Sequence, residues 1–77
     1  MLITLIELEN GEVGEIVKLE GGLQFKKKLS SLNIRVGKEV KKIASQPFNG
    51  PLVMKIDNTK ITIGRGMASK IILKVER

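Results

Sequence analysis

The chain has 77 residues and a formal net charge of +6, from 14 Lys and Arg against 8 Asp and Glu, and it contains no His, Cys, Trp or Tyr. Those zeros exclude disulfide staples, zinc and iron–sulfur ligation, thiol nucleophiles and histidine acid–base chemistry. The length leaves room for one small core held by apolar packing alone.

The basic balance points to an acidic partner: nucleic acid, a membrane surface or an acidic protein. Its spread is uneven, because residues 1–20 carry five acidic side chains and one basic one, and residues 21–77 carry thirteen basic and three acidic. No apolar run approaches the ~20 residues of a membrane span. Met1–Ile6 is apolar but too short for a signal segment and has no basic lead. The expected location is therefore the cytoplasm, with all of residues 1–77 in one domain.

Short β-rich runs lie between closely spaced glycines. Glu12–Leu19 reads as the first strand, with Val13, Val17 and Leu19 on one parity and Ile16 on the other. Gly14 inside it marks a bend or a close backbone approach. Leu23–Leu32 is the one helix, since Phe25, Leu29 and Leu32 fall on a single stripe. Asn33 suits a left-handed helix end, with Ile34 as the accompanying apolar contact. Glu39–Ala44 is the next strand, with Val40 and Ala44 facing one way and Ile43 the other. Gln46–Pro51 is a turn-rich loop. Leu52, Met54 and Ile56 alternate in a strand that Asp57-Asn58, tolerant of positive φ, turns into Thr59–Ile63. Gly64–Ser69 is a loop or single helical turn before the last strand, which carries Ile71, Leu73 and Val75. The expected fold is mainly β: an SH3-like small barrel of about five strands, with one short helix after the first strand and a short helical turn before the last.

Three features carry chemistry. Lys26-Lys27-Lys28 is either a solubilising helix face or a docking patch for an acidic surface. Phe48, at the tip of its Pro/Gly loop, is either a lid on the barrel or an exposed anchor. Gly64-Arg65-Gly66-Met67-Ala68-Ser69-Lys70 has neither Walker A nor dinucleotide-loop spacing. It reads as a tight turn whose Met67 and Ala68 plug the barrel end. No serine has a histidine to activate it and local spacing suggests no acid pair, so no enzyme, catalytic residue, cofactor or metal site is expected.

Four segments together resemble the FeoA family. They are Leu8-Glu9-Asn10-Gly11-Glu12-Val13-Gly14-Glu15-Ile16-Val17, the helix segment Lys28–Ile34 leading to Gly37, the loop Pro47-Phe48-Asn49-Gly50-Pro51-Leu52, and Gly64–Ile72. The chain departs from the family in having Asn33 where Gly is usual, lysines on an often Arg-rich helix, and Asn49-Gly50-Pro51 for a Gly-Asp-Pro loop. The resemblance implies a small SH3-like cytoplasmic accessory of ferrous-iron transport. The implied partner is the cytoplasmic, GTPase-bearing region of the permease FeoB. Family descriptions also speak of metal binding, which a chain without His or Cys does not support. The expected partner contacts are Lys27, Lys28, Arg35, Phe48 and Arg65. The alternative is a small-barrel nucleic-acid binder, motivated by the basic surplus and weakened by having only two aromatic rings for base stacking.

Overall fold

The computed structural model describes residues 1–77. Six strands form one antiparallel sheet: β1 (Leu2–Thr4), β2 (Val13–Leu19), β3 (Glu39–Ser45), β4 (Leu52–Ile56), β5 (Thr59–Ile63) and β6 (Ile71–Lys74). Their spatial order is β1-β6-β2-β3-β4-β5. Helix α1 (Leu23–Ser31) follows β2, a four-residue α2 (Arg65–Ala68) precedes β6, and a 3-10 turn (Leu5–Glu7) follows β1. The mainly β, SH3-like architecture is as the sequence predicts, with one strand added. β1 is three residues long and too short to show a period, and it gains its place by pairing Leu2–Thr4 with Ile72–Lys74.

The barrel is not closed by a ladder, because β1 and β5 are not paired with each other. The 3-10 turn packs against α2, so two short helical segments stand where a sixth, closing pairing would be. Ala68 of α2 is fully buried and Met67 packs against the core, the plug expected of this turn.

Two bulges decide which side chains face inward. In β2 the register steps from Ile16↔Leu73 to Lys18↔Ile72, so Val17 is the extra residue. Ahead of it Gly14 and Ile16 point inward and Val13 outward; beyond it the parity flips and Leu19 packs on the core. The face with three apolar residues of one parity is therefore not one face at all. In β3 the step from Lys42↔Met54 to Ala44↔Val53 makes Ile43 the extra residue. Val40 and Lys42 are then the inward pair, with Ile43 and Ala44 both half-buried.

The core joins Leu5, Leu8, Ile16, Leu29, Leu52 and Leu73 with nine further buried apolar residues. α1 contributes only Leu29 in full, and Phe25 in part. Leu32, the expected third member of the stripe, is the residue after the last helical one and is 41% exposed; Ile34 is buried instead. The helix end explains the exchange. Asn33 sits at φ 66°, its N–H donates to the Ser30 carbonyl at 2.9 Å, and the Ile34 N–H donates to the Leu29 carbonyl at 2.9 Å. That paired motif turns the chain inward and sets Ile34 beside Leu29.

Gly14 is the close approach that the sequence marks. A Cβ there would lie 3.2 Å from the Leu73 Cβ and 3.1 Å from a Val75 methyl. Gly14→Ala is expected to lower stability by about 1–3 kcal/mol, read by urea unfolding. An unchanged midpoint would show that β6 can shift away from β2.

Candidate docking surfaces

Lys42 is the one buried charged residue, 5% exposed. From the middle of β3 its Nζ crosses to donate to the Ile6 carbonyl of the 3-10 turn at 2.9 Å. Burial holds its ammonium below the ordinary lysine range, and the positive charge of Arg65 lowers it further. Its backbone also pairs, accepting from the Gly11 N–H at 2.6 Å and donating to the Glu12 carbonyl at 3.1 Å.

The β3–β4 loop is closed by two backbone hydrogen bonds. The Gln46 N–H donates to the Pro51 carbonyl at 3.1 Å and the Gly50 N–H to the Pro47 carbonyl at 3.2 Å. Phe48 and Asn49 both lie at positive φ, 59° and 60°. A bulky residue in that region costs on the order of 1 kcal/mol. Phe48 is nevertheless 100% exposed, which rules out the lid and leaves the ring free on the surface.

The far end of the same strands carries a polar cluster. The Asp57 carboxylate accepts from Asn33 Nδ2 at 2.5 Å and from Lys38 Nζ at 2.7 Å, and Arg35 Nη2 donates to Asn33 Oδ1 at 2.5 Å. The Lys38 and Asn33 bonds hold the Asp57 carboxyl below its ordinary range. Asn33 thus does what a glycine at the helix end could not: it ties α1 to the β4–β5 hairpin. Arg77 makes a similar clamp elsewhere, donating through Nε and Nη2 to the two oxygens of Glu12 at 2.9 Å each.

The five expected contacts do not form one patch. Ser45, Leu52 and Ile63 share a register row, so the Phe48 loop and Arg65 stand at the same end of the sheet. Arg35 stands at the opposite end with Asn33 and Asp57. Lys27 and Lys28 are exposed on α1. Phe25 does not join a docking face, because it is half-buried and Lys70 Nζ lies 5.1 Å above its ring.

One constellation escapes a residue-by-residue reading. Lys41 pairs with Lys55, and Lys55 with Lys60, so three lysines lie side by side across β3, β4 and β5. None has a carboxylate within ion-pair distance. Like charges directly opposite are destabilising. The two-residue turn Asp57-Asn58 already fixes the Lys55–Lys60 half of this row; the bulge at Ile43 is what hides Lys41. No three acidic side chains converge as metal ligands, and no helix is long and apolar enough to cross a membrane.

These features define a small SH3-like β domain with charged and aromatic surface features. Residues 3–75 match the FeoA domain, and the chain belongs to that family. It is 33% identical over 66 residues to an Fe(2+) transport protein A of Methanocaldococcus jannaschii, covering 86% of this chain and 78% of that one. The crystal structure of an iron uptake regulatory protein (FeoA) superposes with a TM-score of 0.89 at 27% identity, covering 96% of this chain and 97% of that one. A manganese-dependent transcriptional repressor shares the fold at a TM-score of 0.87 and 18% identity, over 97% of this chain and 42% of the repressor. Both FeoA relatives carry names in ferrous-iron transport or iron uptake.

Two outcomes follow from the buried and clustered charges. Lys42→Ala is expected to lower stability by about 2–4 kcal/mol, from the lost stem packing and the orphaned Ile6 carbonyl, and Lys42→Met by about 1 kcal/mol. Between the lowered folded value and the ordinary lysine value the unfolded chain binds more protons. Wild-type stability therefore rises with pH across that alkaline window, and Lys42→Met loses this rise. For Asp57 the sign is the same in the acid range: its contribution is present above the ordinary carboxylate value and is lost as pH falls through the lowered folded one. A carbon-13 titration should place the Asp57 midpoint below the ordinary aspartate value. In Asn33→Gly it should move back up; an unmoved midpoint would remove Asn33 from the network.

Proposed function

We propose that the protein is a non-enzymatic docking module, acting through its one domain on the cytoplasmic, GTPase-bearing part of a FeoB-type ferrous-iron permease. The observation that carries this reading is Phe48, wholly exposed and held in a left-handed turn by two backbone hydrogen bonds. Burying such a ring in a partner pocket is worth about 1.5–3 kcal/mol, and a turn already closed by hydrogen bonds lowers the ordering cost of binding. Arg65 adds positive charge at the same end of the sheet. Lys27, Lys28 and Arg35 lie on other surfaces and act at a distance, as basic charge that raises the approach rate of an acidic partner more than its affinity. The family assignment and the relatives' names in iron transport support the choice of partner. The chemistry of the chain supports the absence of catalysis, since it has no histidine or cysteine to act as base or thiol nucleophile.

Detergent-solubilised FeoB passed over the immobilised protein should be retained at low salt. Phe48→Ala should weaken retention by about tenfold or more while leaving the unfolding midpoint within ~0.5 kcal/mol of wild type. No retention, with and without guanine nucleotide, would overturn the proposal. Lys27→Glu with Lys28→Glu should slow association and flatten the salt dependence.

A further inference from the structure

Strand β5 is an open edge. It pairs only with β4, and the two-residue turn at Asp57 and Asn58, with φ 48° and 67°, fixes which backbone groups remain free. In such a hairpin the pair flanking the turn, Ile56↔Thr59, exchanges hydrogen bonds, and the alternation then turns Thr59, Ile61 and Ile63 toward β4. The N–H and C=O groups of Lys60 and Thr62 face away from the sheet, and both residues are exposed. The other edge, β1, is only three residues long and runs straight into the 3-10 turn.

The two sides of the β5 edge differ in chemistry. On the inner side a cavity of about 460 Å³ opens between the end of α1 and β5, with Leu32, Ile56 and Ile61 supplying its apolar lining and Thr59 and Lys60 bordering it along the edge strand. Leu32 is 41% exposed there, a large apolar side chain with nothing over it. On the outer side Lys60 ends the row Lys41–Lys55–Lys60, which has no acidic partner.

We infer that β5 is a strand-addition site, which takes an extended segment of a partner protein in which acidic and apolar residues alternate. Side chains of an added strand point alternately to the two faces. The apolar ones would enter the cavity beside Leu32 and Ile61, and the acidic ones would lie over Lys60 and Lys55. Backbone bonds to Lys60 and Thr62 would supply register-independent affinity and the side-chain alternation the selectivity. Charge selects this occupant over a second copy. β5 holds no acidic residue, so pairing two copies edge to edge would bring their unpaired lysines together.

This inference deepens the docking reading and rests on it for the partner, but its test contains no permease, so either can fail alone. The isotope-labelled full chain is titrated with three synthetic hexapeptides: alternating Glu-Val, the same residues in two blocks, and alternating Lys-Val. The alternating acidic peptide should slow amide exchange at Lys60 and Thr62 and shift the signals of Leu32 and Ile61. The other two should bind at least tenfold more weakly. Thr62→Pro removes an outward N–H at an edge position that tolerates proline; its unfolding should remain cooperative and its peptide binding should fall at least tenfold. Equal binding of the blocked peptide would reduce the site to bulk charge and overturn the inference. So would binding that leaves the Lys60 and Thr62 amides unprotected, or protection of those amides that grows with protein concentration in the absence of peptide, which would assign the edge to a second copy.

Discussion

A buried lysine side chain bridges the interior of this fold where its hydrogen-bond ladder stops. β1 and β5 are the two ends of the sheet order and do not meet. Lys42, from the central strand β3, reaches the Ile6 carbonyl on the turn that leaves β1. A small barrel closed by a ladder would satisfy that carbonyl with a neighbouring strand. Here it is satisfied by a side chain whose desolvation is costly, several kcal/mol for an unpaired ion after relaxation. The carbonyl bond and the buried stem offset that cost. Arg65 works against it, because it opens the helical turn that plugs the same gap and its charge bears on Lys42. The end of the molecule that carries Phe48 and Arg65 is thus also the end where buried charge and plug compete.

The opposite end is organised by left-handed residues. Asn33 ends α1, and Asp57 and Asn58 make the β4–β5 turn, all at positive φ without being glycine. Asparagine and aspartate tolerate that region because their short polar side chains bond locally. In this chain the same side chains also bond to each other, Asn33 to Asp57. One pair of residues therefore sets the helix exit, the hairpin turn and the distance between them. That distance is what opens the cavity beside β5, since Leu32 precedes Asn33 and Ile56 precedes Asp57.

Much of this was legible from residue order. The helix end at Asn33-Ile34, the Asp57-Asn58 hairpin, the close approach at Gly14 and the alternation of Leu52, Met54 and Ile56 each depend on one residue type or a strict period. They survive folding because nothing non-local competes with them. The readings that changed share a physical cause. A bulge inserts one residue and reverses parity, so Val13 and Leu19 share a parity in the sequence but not a face of the sheet, because Val17 lies between them. The bulge at Ile43 likewise makes Lys42 an inward residue, and no local pattern announces a lysine whose partner lies 36 positions earlier. β1 was invisible for a related reason: three residues carry no period, and its identity comes wholly from pairing with β6. The exposure of Phe48 depends on how its loop folds, and the two consecutive positive φ values there are a property of the turn that residue order alone does not specify.

The basic surplus can then be assigned a form. Single-strand and RNA binders stack bases on several rings. This surface offers one free ring, because Phe25 is half-buried beneath Lys70. The lysines are also not scattered. Lys41, Lys55 and Lys60 occupy one register row across three strands, about 4.8 Å apart from strand to strand. A flexible polyanion has no need of that spacing. An added strand would continue it, placing its next side chain in the same row one strand further on. The row ends at the one long edge whose backbone is unpaired, so charge and hydrogen bonding converge on β5 from independent constraints: the hairpin register sets the first and the open ladder the second.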